Sequence, residues 1–373
     1  MISEEIVRAL KGVGINLFVT LPCEKARPLI CKVSENFRHI TLASEEEGVG
    51  ICAGAFLAGS KPAMLVQSSG VGRMINAMCS LTKIYELPLL IFVSWRGVYK
   101  EGIPAQIPLG ERLPKILAAI DVDYSIIETS KDVHVIPDVA AEAYTDNKIH
   151  AVLLNPKIWK NERVEPVSSE VEATARMEKG RSQRRDFNPV LTRFEILKAI
   201  SSYLDGKIVV CNLGIACKEL YQAKHQKSNF YMLGSMGLAS PIGLGIASFT
   251  QKDVVVIDGD GSLLMNLGVL STIAVAKPEN LTILAIDNGV HGTTGNQPTA
   301  TSFGADLELI AKGSGFGKTF KVANGAEILE TLQSLSGGPN FVHVLARPGN
   351  AEVPNIPLTP VKIKQNVMEA IKG

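Results

Sequence analysis

The sequence predicts an α/β protein made of two doubly wound, parallel-sheet domains with no central domain between them. Three observations predict this. Short runs rich in Val, Ile and Leu alternate with helical segments along both halves of the chain. A length of 373 residues suits two domains, each with its own core. A charged stretch poor in large apolar residues separates the halves, so we read 1–159 as one domain, 160–187 as a linker and 188–373 as the second.

The formal net charge is +1 and no basic stripe stands out, which argues against nucleic acid as a partner. No secretory pattern opens the chain, and no apolar run approaches the ~20 residues of a membrane helix, so a cytoplasmic protein is expected. None of the six cysteines forms C-x-x-C. Reduced core cysteines are expected, and not an iron–sulfur cluster.

In the first half, residues 3–12 have helical periodicity, 17–20 (Leu-Phe-Val-Thr) form a strand and 24–36 a helix. A short strand at 40–42 leads into a helix at 45–59 whose Gly and Ala content suits close packing. Strand 63–66 ends in Gln67-Ser68-Ser69-Gly70, read as a Gly-bearing turn before a helix at 72–83. Ser68 and Ser69 either donate to an anionic ligand or cap that helix. Strand 87–93 ends in Ser94-Trp95-Arg96-Gly97. Arg96 suits bidentate binding of a carboxylate, sulfonate or phosphonate, the alternative being a salt bridge. Strand 124–127, helix 133–144 and strand 151–154 close this domain.

In the second half, a helix starts at Asn188-Pro189 and runs to 203, followed by strand 207–211. Gly234-Ser235-Met236-Gly237 precedes a Gly- and Ala-rich helix that ends near 248. Strand 254–257 meets Asp258-Gly259-Asp260-Gly261-Ser262, then a helix, a Pro278 break, strand 281–286 and Asp287-Asn288-Gly289. That is a βαβ unit with both polar clusters just past strand carboxyl ends, where ligands bind in parallel sheets. Asp260 offers a carboxylate, Asn288 an amide oxygen and the following turn a carbonyl, a set suited to Mg²⁺. The glycines bring backbone N–H groups close to a phosphate. The polar loop 292–299 is a candidate cover, and His291 at its start is either a proton relay or a structural hydrogen-bonder. Helix 306–313, strand 319–322, helix 326–335 and strand 341–345 complete the domain, and a tail with four prolines ends in a last short helix.

Asp260 and Asn288 lie 28 residues apart, and this pattern resembles the GDG…N(N) signature of thiamine diphosphate (ThDP) enzymes, with Asp287 at the first Asn. The resemblance implies that Asp260, Asn288 and the Val290 carbonyl hold Mg²⁺, while Gly259, Gly261 and Ser262 help to hold the diphosphate. It makes the halves the pyrimidine-binding (PYR) and diphosphate-binding (PP) domains. In the PYR motif a glutamate opens a small-residue helix nine positions before a glycine, and Glu45 stands nine before Gly54. Its role is to share a proton with the aminopyrimidine ring, and an apolar crevice suits a carboxyl for that. Glu47 is the alternative. Met236 would prop the cofactor in its bent form, next to Ser235, and the Gly234 carbonyl would accept from the 4′-amine.

SEEEGVGICAGAFLAG, SWRGVYKEGIPAQIP, GDGSLLMNLG and DNGVHGTTGNQPT resemble segments of the sulfopyruvate decarboxylase family, its two usual subunits here fused. The resemblance implies decarboxylation of 3-sulfopyruvate to sulfoacetaldehyde and CO₂, in coenzyme M biosynthesis. The substrate is a small 2-oxo acid with a second anionic group, for which Ser68, Ser69, Arg96, Gln106 and Thr293 are candidate donors. Phosphonopyruvate decarboxylases share some of these segments, and a ThDP oxidoreductase or synthase component is the more distant alternative. Active sites in this superfamily lie between PYR and PP domains of different chains, so at least a homodimer is expected.

Overall fold

The computed structural model describes residues 1–159, 162 and 187–373. Apart from Glu162 and Phe187, the expected linker 160–187 lies outside the described residues.

The first sheet contains β1 (Leu17–Thr20), β2 (Arg38–Thr41), β3 (Pro62–Gln67), β4 (Leu89–Ser94), β5 (Asp123–Ile127) and β6 (Ile149–Leu154). They pair in parallel in the order β2-β1-β3-β4-β6-β5. The second contains β7 (Ile208–Cys211), β8 (Asn229–Tyr231), β9 (Val254–Gly259) and β10 (Leu281–Asp287). A two-residue hairpin, β11 (Val290–His291) with β12 (Gln297–Pro298), intervenes before β13 (Lys318–Val322) and β14 (Asn340–Leu345). The second sheet is again all parallel, in the order β13-β14-β10-β9-β7-β8. Every residue of β4 and β10 is buried, as continuous apolar runs covered on both faces require.

The sheets join through the helices Glu45–Leu57 and Ala239–Ala247. Glycine permits the contact: a Cβ on Gly54 would stand 2.0 Å from the Ile242 carbonyl oxygen, and one on Gly245 2.2 Å from that of Ile51. One apolar core therefore runs through both halves. A second, around Phe18, Phe92 and Tyr144, fills the far face of the first sheet. Polar ties cross the same junction: Tyr85 Oη donates to the Tyr231 carbonyl at 2.7 Å and Lys364 Nζ to the Glu86 carbonyl at 2.8 Å.

Most expected elements sit within a few residues of their expected bounds. The helix expected from 72 instead begins at Ser68 and runs as Ser68–Ala77 into a π-helical turn, Met78–Lys83. The helix expected to run to 203 is only Arg193–Ala199. Helices Leu113–Ala119 and Ile215–Ala223, strand β8 and the β11–β12 hairpin were not anticipated.

Candidate active site

Strand pairing brings the two polar clusters together. Ile286 of β10 pairs with Gly259 of β9, so Asp260 and Asn288 emerge side by side at the sheet's carboxyl edge. Asp260 is the first residue of the helix Asp260–Met265, so helix and strand ends fix its backbone. A cavity of about 140 Å³ opens there, lined by Met236, Gly259, Asp260, Gly261, Ser262, Asn288, Val290, His291 and Thr293 among others.

The donor set fits a hard divalent cation. Asp260 is 3% exposed and forms no ion pair among the described residues. Burial, then the nearby Asp287 charge, pushes its carboxyl above the usual range. Asn288 is buried, with its Nδ2 unpartnered. Gly289, at φ 72°, turns the chain so that the Val290 N–H donates to Asn288 Oδ1 at 3.2 Å. The Val290 carbonyl accepts the Gly292 N–H at 3.0 Å and keeps its second lone pair. Among the described residues no group of three or more His, Cys, Asp or Glu could hold a metal. One carboxylate, one amide and one carbonyl oxygen, completed by phosphate oxygens, is a set that suits Mg²⁺.

Behind these oxygens lies a polar network that the sequence did not disclose. Thr299 donates to Asp260 Oδ2, and Thr301 Oγ1 donates to Asp287 Oδ1 at 2.8 Å while lying 3.3 Å from Asp260 Oδ2. Asp287 Oδ2 meets His343 Nε2 at 2.8 Å, and the other ring nitrogen faces Asp306 at 3.7 Å. Burial opposes charge on His343, but its hydrogen bond to Asp287 and the nearby Asp306 carboxylate prevail and raise its pKa. Asp287 is held low against its own burial, chiefly by His343 and Thr301.

The remaining second-half candidates surround the cavity. The His291 ring packs on Gly261, where a Cβ would stand 2.5 Å from Cε1. Ser262 Oγ accepts the Gly237 N–H at 3.1 Å and so fixes the turn that carries Met236. Ser235 holds a left-handed φ of 60°, and its hydroxyl lies 2.6 Å from that of Ser80, in the first half. Gly234 packs on the Ser80 carbonyl, and neither Gly234 nor Ser235 lines the cavity. Asn212 and Arg193 do line it and were not anticipated. The Asn212-Leu213-Gly214 turn just past β7 was the available signal.

The first-half candidates lie elsewhere in the chain, and none lines this cavity. Glu45 is 4% exposed and packs so tightly on Gly70 that a Cβ there would lie 2.5 Å from Oε1. Its Oε2 accepts no hydrogen bond, and Arg73 Nη1 is 3.8 Å away. Glu47 Oε1, in contrast, accepts the Ala43 N–H at 2.6 Å and the Thr272 hydroxyl at 2.7 Å. Ser68 Oγ spends its proton on the Ser94 and Arg96 carbonyls, while Ser69 is half-buried. The Arg96 guanidinium, 5% exposed, is paired through Nε with Glu101, leaving Nη2 buried without a partner. Gln106 Oε1 is likewise buried and unpartnered. Backbone packing of Gly97 on Gln106 and of Gly110 on Arg96 locks the two loops together.

Two family models match the chain: the thiamine pyrophosphate enzyme N-terminal TPP binding domain over residues 2–116 and its C-terminal TPP binding domain over 211–344. The chain is 42% identical to the sulfopyruvate decarboxylase of Methanosarcina acetivorans, over 99% of this chain and 97% of that one. In Methanococcus maripaludis the beta subunit of sulfopyruvate decarboxylase is 44% identical, over 49% of this chain and 98% of that subunit. The alpha subunit is 34% identical, over 43% and 98%. A phosphonopyruvate decarboxylase from Streptomyces viridochromogenes is 31% identical, over 94% of this chain and 89% of that one. The fold also matches the X-ray structure of a candidate thiamin diphosphate-dependent enzyme from Mycobacterium smegmatis, at TM-score 0.69 and 14% identity, covering 94% of this chain and all of that one.

Proposed function

Because the chain belongs to the thiamine pyrophosphate enzyme family, on the branch that holds the sulfopyruvate decarboxylases, we propose that it decarboxylates 3-sulfopyruvate to sulfoacetaldehyde and CO₂ with ThDP and Mg²⁺. The observation that carries this reading is the cavity at the ends of β9 and β10, where a buried carboxylate with no ion pair among the described residues stands beside an amide oxygen and a glycine-rich helix start. When bound, ThDP supplies the acceptor for the electron pair released as CO₂ leaves.

Residues 188–373 act as the diphosphate-binding domain, with Asp260, Asn288 and the Val290 carbonyl on Mg²⁺ and Gly261 against the diphosphate. Residues 1–159 act as the pyrimidine-binding domain. Glu45 exchanges a proton with the pyrimidine ring; Oε2 is unpartnered in both glutamates, but the Glu47 carboxylate is already engaged through Oε1 by the Ala43 N–H and the Thr272 hydroxyl, which supports Glu45 over Glu47. Since Glu45 is absent from the cavity wall of its own chain, it serves the cavity of a second copy, in a homodimer or larger assembly. The substrate's second anion is met by Arg96 Nη2, a buried donor without a partner among the described residues, together with Ser69, Thr293 and the amide N–H groups of Gln106. His291, against Gly261, is placed to move a proton at the reacting end. Six unpaired cysteines and the absence, among the described residues, of a helix long and apolar enough to cross a membrane support a cytoplasmic setting.

The test is a side-by-side decarboxylation assay with sulfopyruvate, phosphonopyruvate and pyruvate, with added ThDP and Mg²⁺. Sulfopyruvate is expected to give the highest kcat/KM. A preference for phosphonopyruvate moves the chain to the neighbouring branch, and no aldehyde from any of the three refutes the reading. Light scattering that returned a monomer would refute the shared site.

A further inference from the structure

One wall of the Asp260 cavity carries an arginine. Arg193 opens the helix Arg193–Ala199 and lines the cavity with Asn212, Gly261 and Asn288. Its side chain is 13% exposed and held at two points. Nε donates to Glu219 Oε2 at 2.6 Å, and Nη2 donates to Asn350 Oδ1 at 3.0 Å. Glu219 is fully buried, and its other oxygen accepts the Ala351 N–H at 2.9 Å, so the anchor itself is fixed. Nη1 has no hydrogen-bond partner among the described residues. A guanidinium pinned on two nitrogens and open on the third is pre-organised to receive an anion.

The same anchor reaches the glycine-rich loop. Asn350 Nδ2 donates to the Gly292 carbonyl at 2.7 Å. Thr293, the next residue, packs on Gly214, where a Cβ would lie 2.9 Å from its hydroxyl. Charge supplies the reason for a cation here. A diphosphate carries more negative charge than one divalent metal neutralises, and the strand ends beneath the cavity already hold Asp258, Asp260 and Asp287.

We propose that Arg193 donates from Nη1 to the diphosphate of the cofactor, with Glu219 and Asn350 as the positioning residues that aim it and couple it to the loop 291–294. This rests on the ThDP reading of the cavity. Arg193 is then a binding residue whose removal weakens the phosphate-bearing ligand and spares the part that carries no phosphate.

The test is calorimetric titration of the purified full chain, in Mg²⁺, with ThDP, inorganic pyrophosphate and thiamine. Removing Arg193 alone strands a buried carboxylate, so the double variant R193Q/E219Q neutralises both partners together. N350D is the second variant: it leaves the buried pair intact and sets a carboxylate beside the guanidinium from an exposed position. For R193Q/E219Q, Kd is expected to rise about tenfold or more for ThDP and pyrophosphate, with thiamine binding unchanged. For N350D the expected rise is about threefold or more, with the same selectivity. A ThDP Kd within about twofold of wild type in either folded variant overturns the proposal. So does an equal loss for thiamine and ThDP, which is what a merely distorted cavity gives. A wild-type chain that binds neither ThDP nor pyrophosphate refutes the parent reading of the cavity instead.

Discussion

The glutamates at the start of the helix Glu45–Leu57 give a test in which activity and stability separate. Glu47 is fully buried where the two halves meet, and its Oε1 receives both the Ala43 N–H and the Thr272 hydroxyl. Glu47→Ala strands two donors in a buried place. At about 1–3 kcal/mol for each unsatisfied group, the expected loss is about 2–6 kcal/mol, read as a lower urea midpoint. Glu47→Gln keeps the Oε1 acceptor and is expected to lose much less. Burial, against the opposing hydrogen bonds, raises the Glu47 pKa above the usual 4.5. A raised folded-state pKa means that the protonated form is favoured by folding. Its contribution is therefore complete below the unfolded-state value and is lost as pH rises through the folded one, a slope that Glu47→Gln removes. Glu45→Gln is the reciprocal variant. It is expected to leave the urea midpoint nearly unchanged while kcat falls by about 10²–10⁴, the usual worth of a positioned proton-transfer group. If Glu47→Ala abolishes turnover at unchanged stability, or Glu45→Gln turns over normally, the assignment of the two residues is wrong.

Three further outcomes are expected. Asp260→Asn should retain the fold and lose Mg²⁺-dependent ThDP binding by about 100-fold or more, checked by titrating Mg²⁺ against fluorescence quenching, because the site would lose its carboxylate ligand. Gly54→Ala places a Cβ 2.0 Å from the Ile242 carbonyl oxygen and should force the two junction helices apart. Overpacking against backbone is expected to cost about 3 kcal/mol or more, seen as a lower or split unfolding transition. The hydrogen bond from Arg96 holds the Glu101 carboxyl down to about 2, from a usual 4.5. A depressed folded-state pKa contributes stability above 4.5 that is lost as pH falls toward 2. Glu101 lies at the wall of an open cavity, so solvent screening trims the effect to about 1–2 kcal/mol, which the pH dependence of the urea midpoint for wild type against Glu101→Gln measures.

How far the sequence could be read depended on whether a feature was local. Both parallel sheets were legible because buried strands such as β4 and β10 are unbroken apolar runs. Asp260 and Asn288 were legible as neighbours because one βαβ unit joins their strands. Ser68-Ser69-Gly70 misled for a tertiary reason. It has turn chemistry, but Ser68 satisfies the Ser94 and Arg96 carbonyls and Gly70 leaves room for Glu45, so the glycine answers a close approach and the helix starts four residues early. Thr299 ends the polar loop read as a cover, but its bond to Asp260, like the placing of Thr301, Arg193 and His343, carries no local signal. They reach the site through a loop that folds back, a helix start and a distant strand, and nothing in their own neighbourhoods points there.

The same non-local pairing accounts for the departure at Asp287. An aspartate in place of the usual first asparagine adds a negative charge beside the proposed metal ligands, where Asp260 is already pushed up and burial raises Asp258 to about 6. The charge is tolerated because His343 binds Asp287 Oδ2 from β14, and Lys321 pairs with the Asp306 carboxylate on the far side of that ring. Asp287 then uses its other oxygen to accept from Thr301 and from the Gly289 N–H. One carboxylate thus orients both Thr301, whose hydroxyl oxygen lies 2.9 Å from that of Thr299, the donor to Asp260, and the turn that presents Asn288. An asparagine side chain has a single acceptor oxygen and could not serve His343 and Thr301 in the same way. The substitution and its histidine are therefore one device, and Asp287→Asn should disturb Mg²⁺ affinity less when His343→Gln accompanies it than when made alone. Equal losses in the single and double variants would mean that the two residues act independently.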